Sequence, residues 1–166
     1  MPNGVAHILI PILILSLIFG KKFKSHYYLL AGLAGALPDV DIILFYILSF
    51  YNYTMDQVHH TFSHSIFFML IFVVFGVLTI KLKPAKFMKR EFKPSTVLFI
   101  IAFGVLTHIL LDFIFYSGFK IFYPYAFESG LNLLYLFPKT WRESILPLLD
   151  GIIFIIFLVY LEFKKK

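Results

Sequence analysis

Five apolar runs, roughly residues 5–19, 27–50, 65–80, 95–117 and 145–161, dominate this chain and leave it few ways to fold. A bilayer core of ~30 Å asks for about 20 residues of helix, and each run is near or somewhat below that length. A mean hydropathy of +0.88 and 22 phenylalanines exceed what a soluble domain of 166 residues can hide. The expectation is an all-α integral membrane helical bundle of about five transmembrane helices, with residues 1–166 as a single transmembrane domain. The first and third passes are short. Lys21, Lys22 and Lys24 follow the first run and nothing basic precedes it, which reads as a retained pass rather than a secretory signal. Cysteine is absent, which excludes disulfides, thiolate metal sites and a cysteine nucleophile.

The net charge of +6 is placed for orientation rather than for nucleic acid, which is not expected as a partner. Twelve of the fifteen basic residues form three groups: Lys21, Lys22, Lys24; Lys81, Lys83, Lys86, Lys89, Arg90, Lys93; and Lys164, Lys165, Lys166. They follow the first, third and fifth passes. One orientation puts all of them on the cytoplasmic face of the cell membrane, with the N-terminus outside and the C-terminus inside. The loop KLKPAKFMKREFKP at 81–94 then reads as a basic cytoplasmic turn. Lys120, Lys139 and Arg142 lie instead in a long connection rich in aromatics, among them Tyr116, Phe119, Tyr125 and Trp141. That mixture suits the outer headgroup region, as an aromatic belt or as a lid.

Four carboxylates fall within or beside the apolar runs: Asp39, Asp41, Asp112 and Asp150. A central aspartate costs about 2.5–3.5 kcal/mol on insertion scales, so four without compensation would cost roughly 10–14 kcal/mol, comparable to the stability of a whole domain. No lysine or arginine sits inside any run. Protonated histidines, bound metal ions or protons on the carboxylates must supply the compensation, and His7, His59, His60, His64 and His108 are available. Metal is the most economical of these, because neutral imidazole and ionised carboxylate both ligate divalent ions.

The orientation brings His7, His59, His64, Asp112 and Asp150 to one leaflet. In HILLD, His108 and Asp112 stand at i and i+4 on one helix face, where they could share an ion or bond each other. The second pass is broken by GLAGALPDVD, where Gly32 and Gly35 permit close helix approach and Pro38 removes an N–H donor. Backbone freed there needs a protein-lined or watered cavity. A carboxylate pair at Asp39 and Asp41 beside the break reads as a site, or as helix-capping at a proline kink. The stretch HHTFSHS at 59–65 gathers three of the six histidines immediately before an apolar run. Asp150, three residues after Pro147, suits either helix N-terminal stabilisation or a place in the site.

Taken in order, His7, PDVD at 38–41, HHTFSHS at 59–65 and HILLD at 108–112 resemble the pattern of the membrane-bound metal-dependent hydrolases, also described as LexA-regulated inner-membrane hydrolases. That family has an N-terminal histidine, a PDxD segment, an HRGxTHS segment and an HxxxD helix, so the resemblance spans most of the chain. It is also distantly similar to zinc-dependent phospholipase C. Where the pattern has arginine and glycine this chain has His60 and Thr61, and Ser63 replaces threonine. Serine keeps the hydroxyl, while loss of the arginine removes a candidate phosphate clamp.

The resemblance implies that His7, Asp39, Asp41, His59, His64, His108 and Asp112 surround one to three divalent ions, zinc above all. Asp39 or Asp41 would be the general base, and the substrate would be a phospholipid or another phosphoester. Seven ligands exceed one tetrahedral site, which points to a multinuclear centre. His60 is a spare or an alternative ligand through its i, i+4 relation to His64, and Ser63 and Ser65 are candidates for supporting hydrogen bonds or capping. The rival readings are an ion or metal transporter and a non-catalytic metal-binding membrane protein. The lipid bilayer is the expected partner in each; the sequence is silent on oligomeric state.

Overall fold

The computed structural model describes residues 4–87, 90–118, 120–125 and 127–164. Lys89, Lys165, Lys166, Met88 and Phe119 lie outside the described residues. Seven helices are present among those described: α1 (Gly4–Phe19), α2 (Ser25–Gly35), α3 (Asp41–Leu48), α4 (Met55–Val58), α5 (Ile66–Leu78), α6 (Pro94–Phe115) and α7 (Lys139–Lys164). Single 3-10 turns at Pro38–Val40 and Phe62–His64 precede α3 and α5.

The helices pack as a bundle with α6 at its middle, lying against α2 on one side and α5 on the other. Helix α1 covers α2, and α7 packs on α1 at the periphery. Small residues bring α1, α2 and α6 close. A Cβ on Gly35 would strike the carbonyl oxygen of His7 and lie 2.8 Å from Pro11 Cγ, and one on Gly104 would strike Ala34. The expected role of Gly35 in close approach is therefore realised, with His7 as the residue it admits. Gly35→Ala is expected to overpack this crossing at a cost of about 1–3 kcal/mol. Thermal unfolding in detergent should show a midpoint several degrees lower, whereas Gly151→Ala, inside α7 with nothing within 4 Å of the added methyl, should not lower it.

The second apolar run is broken where Pro38 forbids continuation. Helix α2 ends at Gly35, the turn Pro38–Val40 follows, and the next segment departs at 52°. Full-length spans are fewer than the five expected. Helices α6 and α7 are long and apolar enough to cross a bilayer by themselves, and the bent pair Ser25–Gly35 with Pro38–Tyr51 makes a third at most. Helix α1 has 16 residues and α5 has 13, which rise only ~24 and ~20 Å. The shortfall has a cause in the chain: residues 36–40 and 52–65, which would lengthen α2 and α5, are spent on turns that carry the polar cluster.

The chain is mostly helical, as expected, with one exception. Within the basic loop, Ala85–Phe87 and Arg90–Phe92 form a two-stranded antiparallel hairpin. It sits where the basic segments meet. Lys24 Nζ is 3.5 Å from Glu91, Lys93 N–H donates to Tyr27 Oη at 3.1 Å, and Lys164 lies 4.4 Å above the Tyr28 ring. Tyr28 in turn donates to the Gly20 carbonyl. Between this end and the polar cluster lies an apolar layer of Leu15, Tyr27, Tyr28, Ala31 and Ile100.

Candidate metal centre

Four separate stretches of backbone deliver the polar residues to one place. His7 comes from the first turns of α1, Asp39 and Asp41 from the break after α2, His59, His60 and His64 from the turns between α4 and α5, and His108 with Asp112 from α6. Local sequence sets each presentation. The Thr54–Gln57 capping box starts α4, which closes at Val58. His60 then adopts φ 58°, reversing the chain so that neighbouring histidines turn toward α6. Ser65 accepts from Phe68 N–H at 3.3 Å and so caps α5, the capping role open to it from sequence.

Asp112 is the hub, with no exposed side chain. His108 Nε2 lies 3.2 Å from its carboxylate, His7 Nε2 3.5 Å, His64 Nε2 3.7 Å and His60 Nε2 3.9 Å. Asp39 Oδ1 faces His64 Nε2 at 3.5 Å and His108 Nε2 at 3.6 Å. Most of these separations are too long for good hydrogen bonds. They match ligands that share an ion, since donors ~2.0–2.2 Å from a tetrahedral centre stand roughly 3.3–3.6 Å apart.

The backs of the imidazoles are held. His108 Nδ1 donates to the Gly35 carbonyl at 2.7 Å, which leaves Nε2 as the lone-pair nitrogen facing Asp112. Asp41 Oδ1 takes His59 Nδ1 at 2.6 Å, and its Oδ2 lies 3.1 Å from His64 Nδ1 and accepts from Ser63 Oγ at 2.7 Å. Such carboxylate–histidine pairs fix the ring that presents its other nitrogen to a metal. By contrast both nitrogens of His7, Nε2 of His59 and of His108, Oδ1 of Asp39 and both oxygens of Asp112 are buried with no hydrogen-bond partner. Buried polar atoms in proteins are as a rule met by a partner, and these converge as ligands of an ion do. The residues therefore fit a metal.

Three overlapping triads have ligand atoms within 4.8 Å of one another: His59, His60 and His64; His7, His108 and Asp112; and Asp39, His64 and His108. His64 and His108 each belong to two, so the cluster is continuous. His60 is the residue that sequence reading undervalued. Its spacing to His64 was a signal, but the reversed backbone that turns it inward has none. Burial first, then the neighbouring His59 and His64, push the His60 imidazole down to about 3, so it stays neutral and able to ligate. Burial works against the charge on His64 too, but the carboxylates of Asp39 and Asp41 outweigh it and raise that imidazole to about 9. An ion would take the place of that proton.

Asp150 stabilises a helix N-terminus, one of the two roles open to it from sequence, but that of α1 and not of its own helix. It lies well inside α7, and its Oδ1 accepts from the Ala6 N–H at 3.1 Å. It thus caps the N-terminus of α1, one residue before His7, and positions that histidine from outside the cluster. Part of the long connection walls the site: Ile121 O accepts from Ile66 N–H at 2.9 Å and Phe113 O from Leu131 N–H at 2.7 Å. Tyr116 lies against His60, ring centroids 4.7 Å apart. Arg142 is turned away, bonded to the Phe137 carbonyl at 3.0 Å and stacked on Tyr135. His26 is buried among Tyr27 and Phe92, apart from the cluster.

A family model described as YdjM inner membrane protein matches residues 1–165. No curated protein matches the chain, and no solved structure does.

Proposed function

As the chain belongs to the YdjM inner membrane protein family, and as its polar residues meet in one buried His/Asp cluster, we propose that it is a membrane-embedded metal-dependent hydrolase of phosphoesters or related esters. The observation that carries this reading is the set of buried, converging ligand atoms on His7, Asp39, His59, His108 and Asp112 that no other protein group hydrogen-bonds. His60 and His64 complete the ligand set, with zinc as the ion that suits imidazole and carboxylate together.

Asp39 and Asp41 divide the roles left open by sequence. Asp41 has both oxygens engaged by His59, His64 and Ser63, and serves to orient imidazoles. Asp39 turns only Oδ1 into the cluster and its side chain is a quarter exposed, which leaves its other oxygen to act as the base. When bound, divalent ions supply positive charge to the phosphoryl oxygens and lower the pKa of the hydrolytic water. The water oxygen joins phosphorus and the P–O bond to the leaving group breaks. Asp39 receives the proton from water and returns it to the departing oxygen.

The apolar layer of Leu15, Tyr27, Tyr28, Ala31 and Ile100 beneath the cluster argues against a conduit. A transporter would continue its polar path through that layer. The basic end facing the cytoplasm would put the cluster at the outer leaflet, the N-terminus outside and the C-terminus inside. In this cysteine-free chain, a cysteine placed at Asp56 should react with an impermeant maleimide added to whole spheroplasts, and one at Met88 only after lysis. The reverse pattern would overturn the orientation.

The direct test of activity is release of p-nitrophenol from bis(p-nitrophenyl) phosphate by detergent-purified protein. Hydrolysis should vanish with a chelator, return with zinc, and be absent in His64→Ala. Zinc-loaded, folded protein that leaves this diester and labelled phospholipids untouched would favour a non-catalytic metal protein instead.

A further inference from the structure

The outer wall of the cluster holds a feature that metal binding leaves unexplained. Asp56, His59, His60, Tyr116, Lys120 and Glu128 line a polar cavity of about 270 Å³. His59 and His60 belong both to this lining and to the histidine cluster, and His59 is 6% exposed with a buried Nε2 that lacks a hydrogen-bond partner. The cavity is thus continuous with the metal centre rather than a separate surface dent.

Its charge pattern is unusual for a site that takes an anion. Lys120 could meet a phosphate, yet two carboxylates stand on the same wall. Among the described residues neither Asp56 nor Glu128 has an ion-pair partner, and Lys120 has none either. Glu128 Oε2 is folded over Gly118, 3.7 Å from where a Cβ would stand, which brings its charge to the cavity. A phosphate ester with no cationic end would meet net repulsion from this rim. One with an ammonium group a few bonds from phosphorus would place its anion toward Lys120 and the imidazoles, and its cation between Asp56, Glu128 and the face of Tyr116.

We infer that the cavity is a subsite for the ammonium end of a zwitterionic phosphate ester, with Asp56 and Glu128 as its specificity-determining residues. This rests on the hydrolase reading for the site's occupant but is tested by binding, so the two can fail separately. Calorimetric titration of the zinc-loaded protein with ethanolamine phosphate and with ethyl phosphate compares ligands that differ in the ammonium alone.

Ethanolamine phosphate should bind about tenfold tighter or better. The preference should shrink to about twofold in Asp56→Asn/Glu128→Gln, and partly in Glu128→Gln alone, with zinc content retained as the check on folding. Equal affinities, no binding of ethanolamine phosphate, or a preference that survives in the double variant would overturn the inference. Competition by micellar phosphatidylethanolamine but not phosphatidylglycerol would identify the ester as a lipid headgroup; competition by glycerophosphoethanolamine alone would identify a soluble one. Absence of hydrolysis alongside the binding preference would sink the enzyme reading and leave the subsite standing.

Discussion

Asp112→Asn is expected to yield a folded membrane protein that retains almost no divalent metal. Four imidazole nitrogens converge on this carboxylate at 3.2–3.9 Å, and its side chain is wholly buried. Asparagine keeps the volume but removes the negative charge, and its amide presents an N–H where a lone pair is needed. Loss of a supporting carboxylate typically lowers metal affinity ~10–100-fold, and loss of this direct ligand should exceed ~100-fold. Competition against a chromophoric chelator would read the change, and hydrolysis should fall in step. Helix content should hold, because the α6 backbone does not depend on this side chain. A variant that binds zinc as tightly as the parent would remove Asp112 from the centre.

Asp41→Asn should produce the second large effect, through a different route. Asp41 fixes His59 at 2.6 Å, Ser63 at 2.7 Å and His64 at 3.1 Å, so one carboxylate sets the direction of two ligands. An amide retains one acceptor, which His59 and His64 must then compete for. Metal affinity should drop about 10–100-fold, the range for such supporting partners. Ser63→Ala removes one donor and leaves the charge, and its effect should be clearly smaller. Equal effects of the two variants would show that the hydroxyl, not the carboxylate charge, organises the histidines.

How much of this was legible in the sequence differs from element to element. The break at Pro38 was readable because the missing N–H acts locally, and the 52° bend follows from it. The pairing of His108 with Asp112 was readable because helical spacing fixes it. The i, i+4 relation of His60 to His64 carried less weight, because the intervening backbone is not helical and His60 reverses it at φ 58°. The bond from Asp150 to Ala6 N–H joins residues 144 apart in sequence, and no local pattern encodes it. The hairpin at Ala85–Phe87 and Arg90–Phe92 was not legible because its lysines and the flanking Pro84 and Pro94 are typical of a turn. Hydropathy marked where apolar segments lie but not where helices end, since α2 and α5 stop short where residues 36–40 and 52–65 turn to carry the polar cluster.

Carboxylates buried with imidazoles and without lysine or arginine hold their charge because cations sit among them. The most direct test is the metal content of protein purified in mild detergent without chelators or a polyhistidine tag, measured by mass spectrometry of the elements. At least one equivalent of a divalent ion per chain, predominantly zinc, is the predicted result. Less than about 0.1 equivalent, with none regained on dialysis against zinc, would contradict it.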